Sequence, residues 1–477
     1  MNQLSSQDAQ FLYMESEDNH IQVTAVAVFD PSTVPGGKVV RFKEILAHIE
    51  KRLHLSPLYR RRLERVPLEL DFPYWVDDEQ FDLENHVQHI RLPEPGDWRQ
   101  LCIQLSRFHA RPLDMSRPLW EMLVIEGLEH VEGLPTGCYA IATKLHHAAV
   151  DGASIVNFYR GLVDIDNKGT PAVPLDQFTE SHSRAPGLLK MAGRAVYNAV
   201  KSPIAMTDAV MRSAPALYRL GQQALTSQRE PSTPVPDTRF NSNASPHKMF
   251  DATTFDLDEL KEVRKAVPGC TINDVVLCIC GGALRKYLMR HKELPGESLV
   301  AWVPINARPG ASKEADSPGN RITSMTTRIF TDVSNPVDRL RRIHKATKRS
   351  KEAKAGISAR LMTDLSQHVP AATFVTAGRL VLRAGMAANI CNLFVSNVPG
   401  PQVPVYMNGA QQVATYGIAP LVDGMGLFIA TPSYNGKISF NVTSTRETLP
   451  DIQFFIECIE ASLASLQKAA TKELSRR

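Results

Sequence analysis

Apolar residues recur along the chain with two periods, strand-like and helical, and the two alternate. Ile21 to Phe29, IQVTAVAVF, is a short run rich in β-branched residues and predicts a strand. Phe42 to Leu53 has helical spacing. Arg60, Arg61 and Arg62 precede a strand-like or loop segment that reaches Trp75, and Asp97 to Arg107 predicts a helix ending before Pro112. Met122 to Ile125 and Cys138 to Leu145 are apolar runs of strand length, and the second leads directly into His146 and His147. Beyond Gly152 the pattern turns helical, with Ile155, Val156, Phe158, Tyr159 and Leu162 at three- and four-residue spacing.

From Asp164 to about Ser245 the pattern is broken by many prolines, and this stretch reads as a long connection between two folded halves. The second half then predicts helices at Leu257 to Val267 and Ile272 to Met289, with Thr271 as N-cap of the latter. Val300 to Pro304 and Thr323 to Phe330 predict strands. Two helical stretches follow, Pro336 to Lys354 and about Ile357 to Met386, the second kinked or split at Pro370. Leu393 to Val395 is strand-like. Gly426 to Thr431 and Lys437 to Thr443 predict a hairpin around Asn435-Gly436, and a last amphipathic helix runs from Asp451 to about Lys468. The expected organisation is an α/β (mixed α+β) sandwich with domains at 1–165 and 246–477, joined by a linker at 166–245.

The 477 residues suit two or three domains, and 43% hydrophobic residues supply their cores. A net charge of +4 gives no support to a nucleic-acid partner. Seven scattered cysteines, with Cys278 and Cys280 as the only near pair, read as reduced, mostly buried thiols of a cytoplasmic protein. The start of the chain lacks the form of a signal peptide, and no run is apolar enough to cross a bilayer, so any membrane contact is expected to be peripheral.

The sharpest feature is His146-His147-Ala148-Ala149-Val150-Asp151-Gly152. It lies between a buried strand and a helix, so a rigid element would hold a histidine whose ring reaches a cavity. A neutral imidazole can take a proton at neutral pH, which suits general-base work. Asp151 either caps the following helix or pairs with an arginine, both structural roles, or else orients the imidazole. Adjacent histidines on a strand point to opposite faces, so one metal ion would rarely bind both.

HHAAVDG resembles the HHxxxDG signature of the coenzyme A-dependent acyltransferase superfamily, which includes chloramphenicol acetyltransferases and peptide-synthetase condensation domains. Within it, Pro118-Leu119-Trp120, Asn273-Asp274 and Ser396-Asn397-Val398-Pro399-Gly400-Pro401 are similar to the PLW, ND and SNVPGP blocks of bacterial wax ester synthase/diacylglycerol acyltransferases. Asp8 to Leu12 also fits. The resemblance implies a chloramphenicol-acetyltransferase-like sandwich with the active-site tunnel between its halves. It implies His147 as general base, His146 as positional and Asp151 as a holder of the loop, with Arg308 as candidate partner, although VPINAR departs from the family's PVSxR. Asn273 would steady the oxyanion or simply start a buried helix. Gly152, Pro118, Leu119, Trp120, Asp274, Arg308, Ser396 and Asn397 complete the expected substrate-binding set, Pro118, Leu119 and Trp120 as residues that shape and support the pocket, with plain core as the other reading of Trp120.

The implied reaction moves a long-chain acyl group from acyl-CoA to a fatty alcohol or to diacylglycerol, with no cofactor and no metal, acyl-CoA being a substrate. The alternatives are a carrier-dependent condensation-type acyltransferase and a non-catalytic lipid-droplet surface protein. Two basic stretches bear on partners. Arg184, Lys190, Arg194, Lys201, Arg212 and Arg219 lie among apolar residues and form either a surface for anionic membrane or lipid droplet, or a connecting helix packed on the protein. Arg339 to Lys354 either reach coenzyme A phosphates or make a solvated helix face.

Overall fold

The structure, a computed structural model, describes residues 2–37, 40–149, 158–169, 235–306, 322–355 and 390–476, with 187, 190–191, 193–194 and 197–198. The strands of the first half are β1 (Asn2–Gln3), β2 (Gln22–Asp30), β3 (Arg61–Glu64), β4 (Tyr74–Asp77), β5 (Val87–Arg91), β6 (Trp120–Leu128) and β7 (Cys138–His146). Those of the second are β8 (Lys248–Asp256), β9 (Val300–Asn306), β10 (Ile322–Arg328), β11 (Leu393–Pro399), β12 (Tyr406–Met407), β13 (Ala410–Ile418), β14 (Leu427–Tyr434) and β15 (Lys437–Thr445). The principal helices are α1 (Ser6–Tyr13), α2 (Phe42–Glu50), α3 (Trp98–Ala110), α4 (Leu257–Arg264), α5 (Ile272–Arg290), α6 (Pro336–Ala355) and α7 (Ile452–Leu474).

Two six-stranded sheets organise these elements, in the orders β12-β13-β2-β7-β6-β5 and β10-β9-β11-β14-β15-β8. A third, small sheet has the order β1-β4-β3. Strand pairing is mixed: β5–β6, β9–β11 and β11–β14 are parallel, and the hairpin β14–β15 is antiparallel. The architecture is the expected mixed α/β sandwich of two halves. Asn435 and Gly436 both take positive φ, 45° and 80°, as the two-residue hairpin between β14 and β15 requires.

β7 runs through the middle of the first sheet, and every one of its residues is buried. Its alternate side chains enter two separate cores. Tyr139, Ile141 and Leu145 pack with Ile45 and Ile49 of α2, while Ala140 and Ala142 pack with Leu101, Leu105 and Phe108 of α3. Burial on both faces explains why its sequence is nearly continuous in apolar residues.

The sheets do not divide at one point of the chain. β13 is a second-half segment that the strand-like runs did not include, yet it pairs antiparallel with β2, from Gln411 opposite Asp30 to Ile418 opposite Thr24. It also touches the second sheet. Asn441 Oδ1 accepts from Gly417 N–H at 3.3 Å, Thr443 Oγ1 from Ala419 N–H at 3.2 Å, and Ser439 Oγ donates to Thr415 O at 2.9 Å. The otherwise open edge of β2 gains a partner in this way, and the two halves are stitched together.

Helices α5, α6 and α7 cover one face of the second sheet. Ala301, Val303, Leu393, Val395, Leu427 and Ile429 are buried in one core with residues of α5, α6 and α7. Helix α5 starts with Thr271 as N-cap in a reciprocal capping box with Asp274. All seven cysteines are buried and unpaired, as the sequence predicts. Residues 357–386 and most of the 166–245 connection lie outside the described residues.

Candidate active site

The site is built on the last residue of β7. His146 is almost wholly buried, and both of its ring nitrogens are used. The N–H of Ala148 donates to Nδ1 at 3.0 Å, which leaves Nε2 as the donor. Nε2 in turn donates to Oε1 of Glu15 at 3.1 Å. Burial by itself would raise the Glu15 carboxyl, but the bond and the electrostatic attraction to His146 and the N–H of Ile21 outweigh it and hold it below its usual value. His146 is therefore a positional residue that fixes the turn after the strand.

That turn is a short 3-10 segment, His147–Ala149, and it aims the second histidine elsewhere. The His147 N–H bonds to Ile21 O at 2.8 Å, and its ring lies against Phe11 of α1 with centroids 4.0 Å apart. Nδ1 of His147 has no hydrogen-bond partner among the described residues. Burial pushes the imidazole down to about 4, with the neighbouring His146 adding to the effect, so the ring is neutral at pH 7. A neutral, rigidly held imidazole keeping part of its surface accessible has the form of a proton acceptor.

Pro118-Leu119-Trp120 supports this strand end from behind. Leu119 O accepts the N–H of His146 at 3.0 Å, and the Leu119 side chain is buried with Leu12, Tyr13 and Ala148. Trp120 is 1% exposed, its indole N–H donates to Tyr59 O at 3.0 Å, and Pro118 is also buried. The sequence offers the triplet a pocket-supporting role or a place in the core, and its surface lies in the core, behind the strand end that carries the histidines. Asp274 is likewise internal: besides capping α5 it accepts from Thr347 Oγ1 at 2.7 Å and contacts His344 Nδ1 at 3.0 Å, tying α5 to α6. Asn273, beside it in the first turn of α5, is partly exposed. Ser396 and Asn397 are partly exposed on β11, opposite Ala430 and Thr431 of β14. Asp151, Gly152 and Arg308 lie outside the described residues.

Comparison with known proteins decides what this constellation belongs to. The description "Wax ester synthase/diacylglycerol acyltransferase catalytic domain" matches residues 4–276, and the family's C-terminal domain matches residues 318–467. The chain belongs to the wax ester synthase/diacylglycerol acyltransferase family. It is an acyltransferase of that family. A Mycobacterium tuberculosis relative named for diacylglycerol O-acyltransferase activity is 32% identical over 95% of this chain and 87% of its own. An O-acyltransferase of Acinetobacter baylyi is 31% identical over 84% of each chain. The solved wax ester synthase/diacylglycerol acyltransferase of Marinobacter aquaeolei VT8 superposes with a TM-score of 0.69 at 25% identity, covering 99% of this chain and 100% of that one.

Glu15 and Phe11 escape a motif-based reading of this wax ester synthase/diacylglycerol acyltransferase chain, because they lie 131 and 136 positions before the histidines they touch. The only signal is the Asp8 to Leu12 block, which contains Phe11. Lys144 is another residue hidden from the sequence. It is fully buried, donates to Phe108 O and Arg111 O at the end of α3, and pairs with Glu121 at 2.9 Å.

Within the basic run of α6, Arg339 is buried and donates to Phe330 O and Val333 O, while Arg341 pairs with Asp338 and Glu473. These two serve the fold and not an anionic ligand. A cleft of about 940 Å³ opens between α3, β8, β13 and α7, but no histidine lines it. Its carboxylates (Glu132, Asp251, Asp256, Glu259, Glu457 and Glu460, against Lys437) oppose a phosphate-bearing ligand, so it is not read as the site.

Proposed function

We propose that the protein transfers a long-chain acyl group from acyl-CoA directly to an alcohol, with a fatty alcohol as preferred acceptor and diacylglycerol as the other. The observation that carries this reading is the neutral His147 imidazole, held in the turn after β7 with part of its surface exposed. His147 takes the proton of the hydroxyl group as that oxygen attacks the thioester carbonyl carbon. The tetrahedral oxyanion draws on donors at the start of α5, where Asn273 and the positive end of the helix lie. The C–S bond then breaks, and the thiolate leaves with the proton held by His147. The chemistry calls for no acyl-enzyme, no cofactor and no metal.

No helix among the described residues is long and apolar enough to cross a membrane. In the connection, Met191 is buried against Val66, Tyr74 and Val76, whereas Lys190, Arg194 and Tyr197 are exposed. We propose that this outward basic face makes the peripheral contact with membrane or lipid droplet from which apolar substrates arrive.

The test is thiol release from palmitoyl-CoA, with and without hexadecanol or diacylglycerol, by wild type and His147→Ala. Alcohol-dependent release that is lost in the variant, with ester as product, is the expected result. Absence of release with either acceptor sinks the reading in favour of a carrier-dependent acyl donor.

A further inference from the structure

The face of the second sheet opposite α5, α6 and α7 turns toward the first half, where β8 meets α3, and that face has two unlike parts. At β8 and β15 it meets the first half. Phe250 is buried in the core of the first half, and Asn441 and Thr443 are hydrogen-bonded to β13. At β9, β11 and β14 the same face carries Trp302, Phe394 and Phe428, which are neighbours in register. Trp302 and Phe394 have ring centroids 5.5 Å apart, and Phe394 stacks on Phe428 at 5.2 Å. All three keep part of their surface exposed, and Val398, further along the same side of β11, is 51% exposed. Three large rings in a row, partly exposed next to a buried inter-half contact, form an apolar surface, with the polar Ser396 following Phe394 on the same side of β11.

The row is connected to the histidine. Trp302 and Phe394 pack against a cluster of Ile21, Val300, Cys391, Val422 and Met425. Phe11 packs against that cluster too, and its ring lies on His147. A packed apolar cluster thus connects Phe11, on the ring of His147, to the aromatic row. Across β9, β11 and β14 it extends for about 10 Å at the usual strand spacing.

We propose that Trp302, Phe394 and Phe428 form the bed of a binding site for the hydrocarbon chain of a long-chain substrate, with Phe11 joining it to His147. The proposal rests on the acyl-transfer reading for the identity of the chain, which belongs either to the acyl donor or to the alcohol. Stacked rings offer a flat, slippery surface whose affinity grows with the number of methylenes laid on it, by roughly fourfold for each one fully buried.

The experiment has two arms. In the first, kcat/KM is measured for donors from butyryl- to palmitoyl-CoA and for alcohols from butanol to hexadecanol, in wild type, Phe394→Ala and Phe428→Ala. The expected result is that the variants lose about tenfold or more with the longest chains and less than about threefold with the shortest. The series that flattens, donor or alcohol, tells whose chain lies there. Equal losses at every length, or none, overturn the proposal. In the second arm, tryptophan emission is followed as hexadecyl-CoA, an unreactive thioether, or dodecanol is added to wild type and Trp302→Phe. A change in emission with either ligand that disappears in Trp302→Phe supports the site even if no ester forms, in which case only the acyl-transfer reading fails. No contribution from Trp302 with either ligand overturns the site whatever the catalysis.

Discussion

The carboxylate of Glu15 joins His146 across 131 residues of chain, its Oε1 accepting from Nε2 at 3.1 Å. The same oxygen accepts the N–H of Ile21 at 2.9 Å, and the carbonyl of Ile21 accepts the N–H of His147 at 2.8 Å. One side chain therefore holds the ring of the first histidine and, through Ile21, the backbone of the second. Such an arrangement fixes a proton acceptor to within the small tolerance that catalysis needs.

Glu15→Ala is expected to lower kcat by about tenfold to a hundredfold with little change in KM, since it loosens the acceptor without removing it. Glu15→Gln keeps an acceptor oxygen for both donors and should lose less. Steady-state kinetics of the two variants checks this. A rise in KM at constant kcat would place Glu15 in substrate binding instead.

Because burial pushes His147 down to about 4, its base form persists well below neutrality. In the proposed role His147 must be unprotonated to work, so activity is expected to fall only as pH drops through that low value. Between pH 8 and pH 5, kcat/KM should stay nearly flat. An imidazole with an ordinary value of 6.5 would lose about thirtyfold over that range. A pH–rate profile with an acid limb near 6.5 would show that the ring is not buried as described, or is not the base.

His109 faces Thr24 at 2.9 Å in the core beneath α3, and burial pushes it down to about 3. Its folded value lies below the unfolded one, so the unfolded chain takes up the proton first as pH falls. The stability penalty starts near 6.5 and grows until pH reaches about 3. From pH 7 to pH 5 it amounts to about 2 kcal/mol. Urea unfolding at the two pH values should show His109→Gln losing less stability on acidification than wild type, by about that amount.

Helices α5 and α7 meet at Gly282, where an added Cβ would sit 2.1 Å from Ser462 Oγ and 2.9 Å from a nitrogen of Arg339. At Gly281 the obstacle is backbone, the carbonyl oxygen of Ile329 at 2.3 Å. Gly281→Ala is therefore expected to destabilise by about 1–3 kcal/mol through overpacking, despite alanine's better helix propensity. Thermal melting of the variant would decide it; an unchanged or higher midpoint would contradict the close approach.

Much of this molecule is written locally. The strand ending at His146, the capped start of α5 at Thr271 and the Asn435-Gly436 hairpin depend on neighbouring residues, and periodicity and turn chemistry expose them in the sequence. The histidine pair is legible for the same reason, because its signal lies within a few positions. For Pro118-Leu119-Trp120 the sequence leaves support of the pocket and a plain core role both open. An apolar triplet has the same pattern whether it lines a cavity or backs a strand, and only the contact of Trp120 with Tyr59 separates the two.

Tertiary structure alone decided the rest. It moved β13 into the first sheet, where the edge of β2 needed a partner and no local rule named one. It brought Glu15 and Phe11 onto the histidines, and it set Trp302, Phe394 and Phe428 side by side from three separate strands. Sequence by itself determines which segments become strands and helices and which side chains can do the chemistry. Long-range packing determines which of those side chains meet, because burial energy depends on the partner surface and not on distance along the chain.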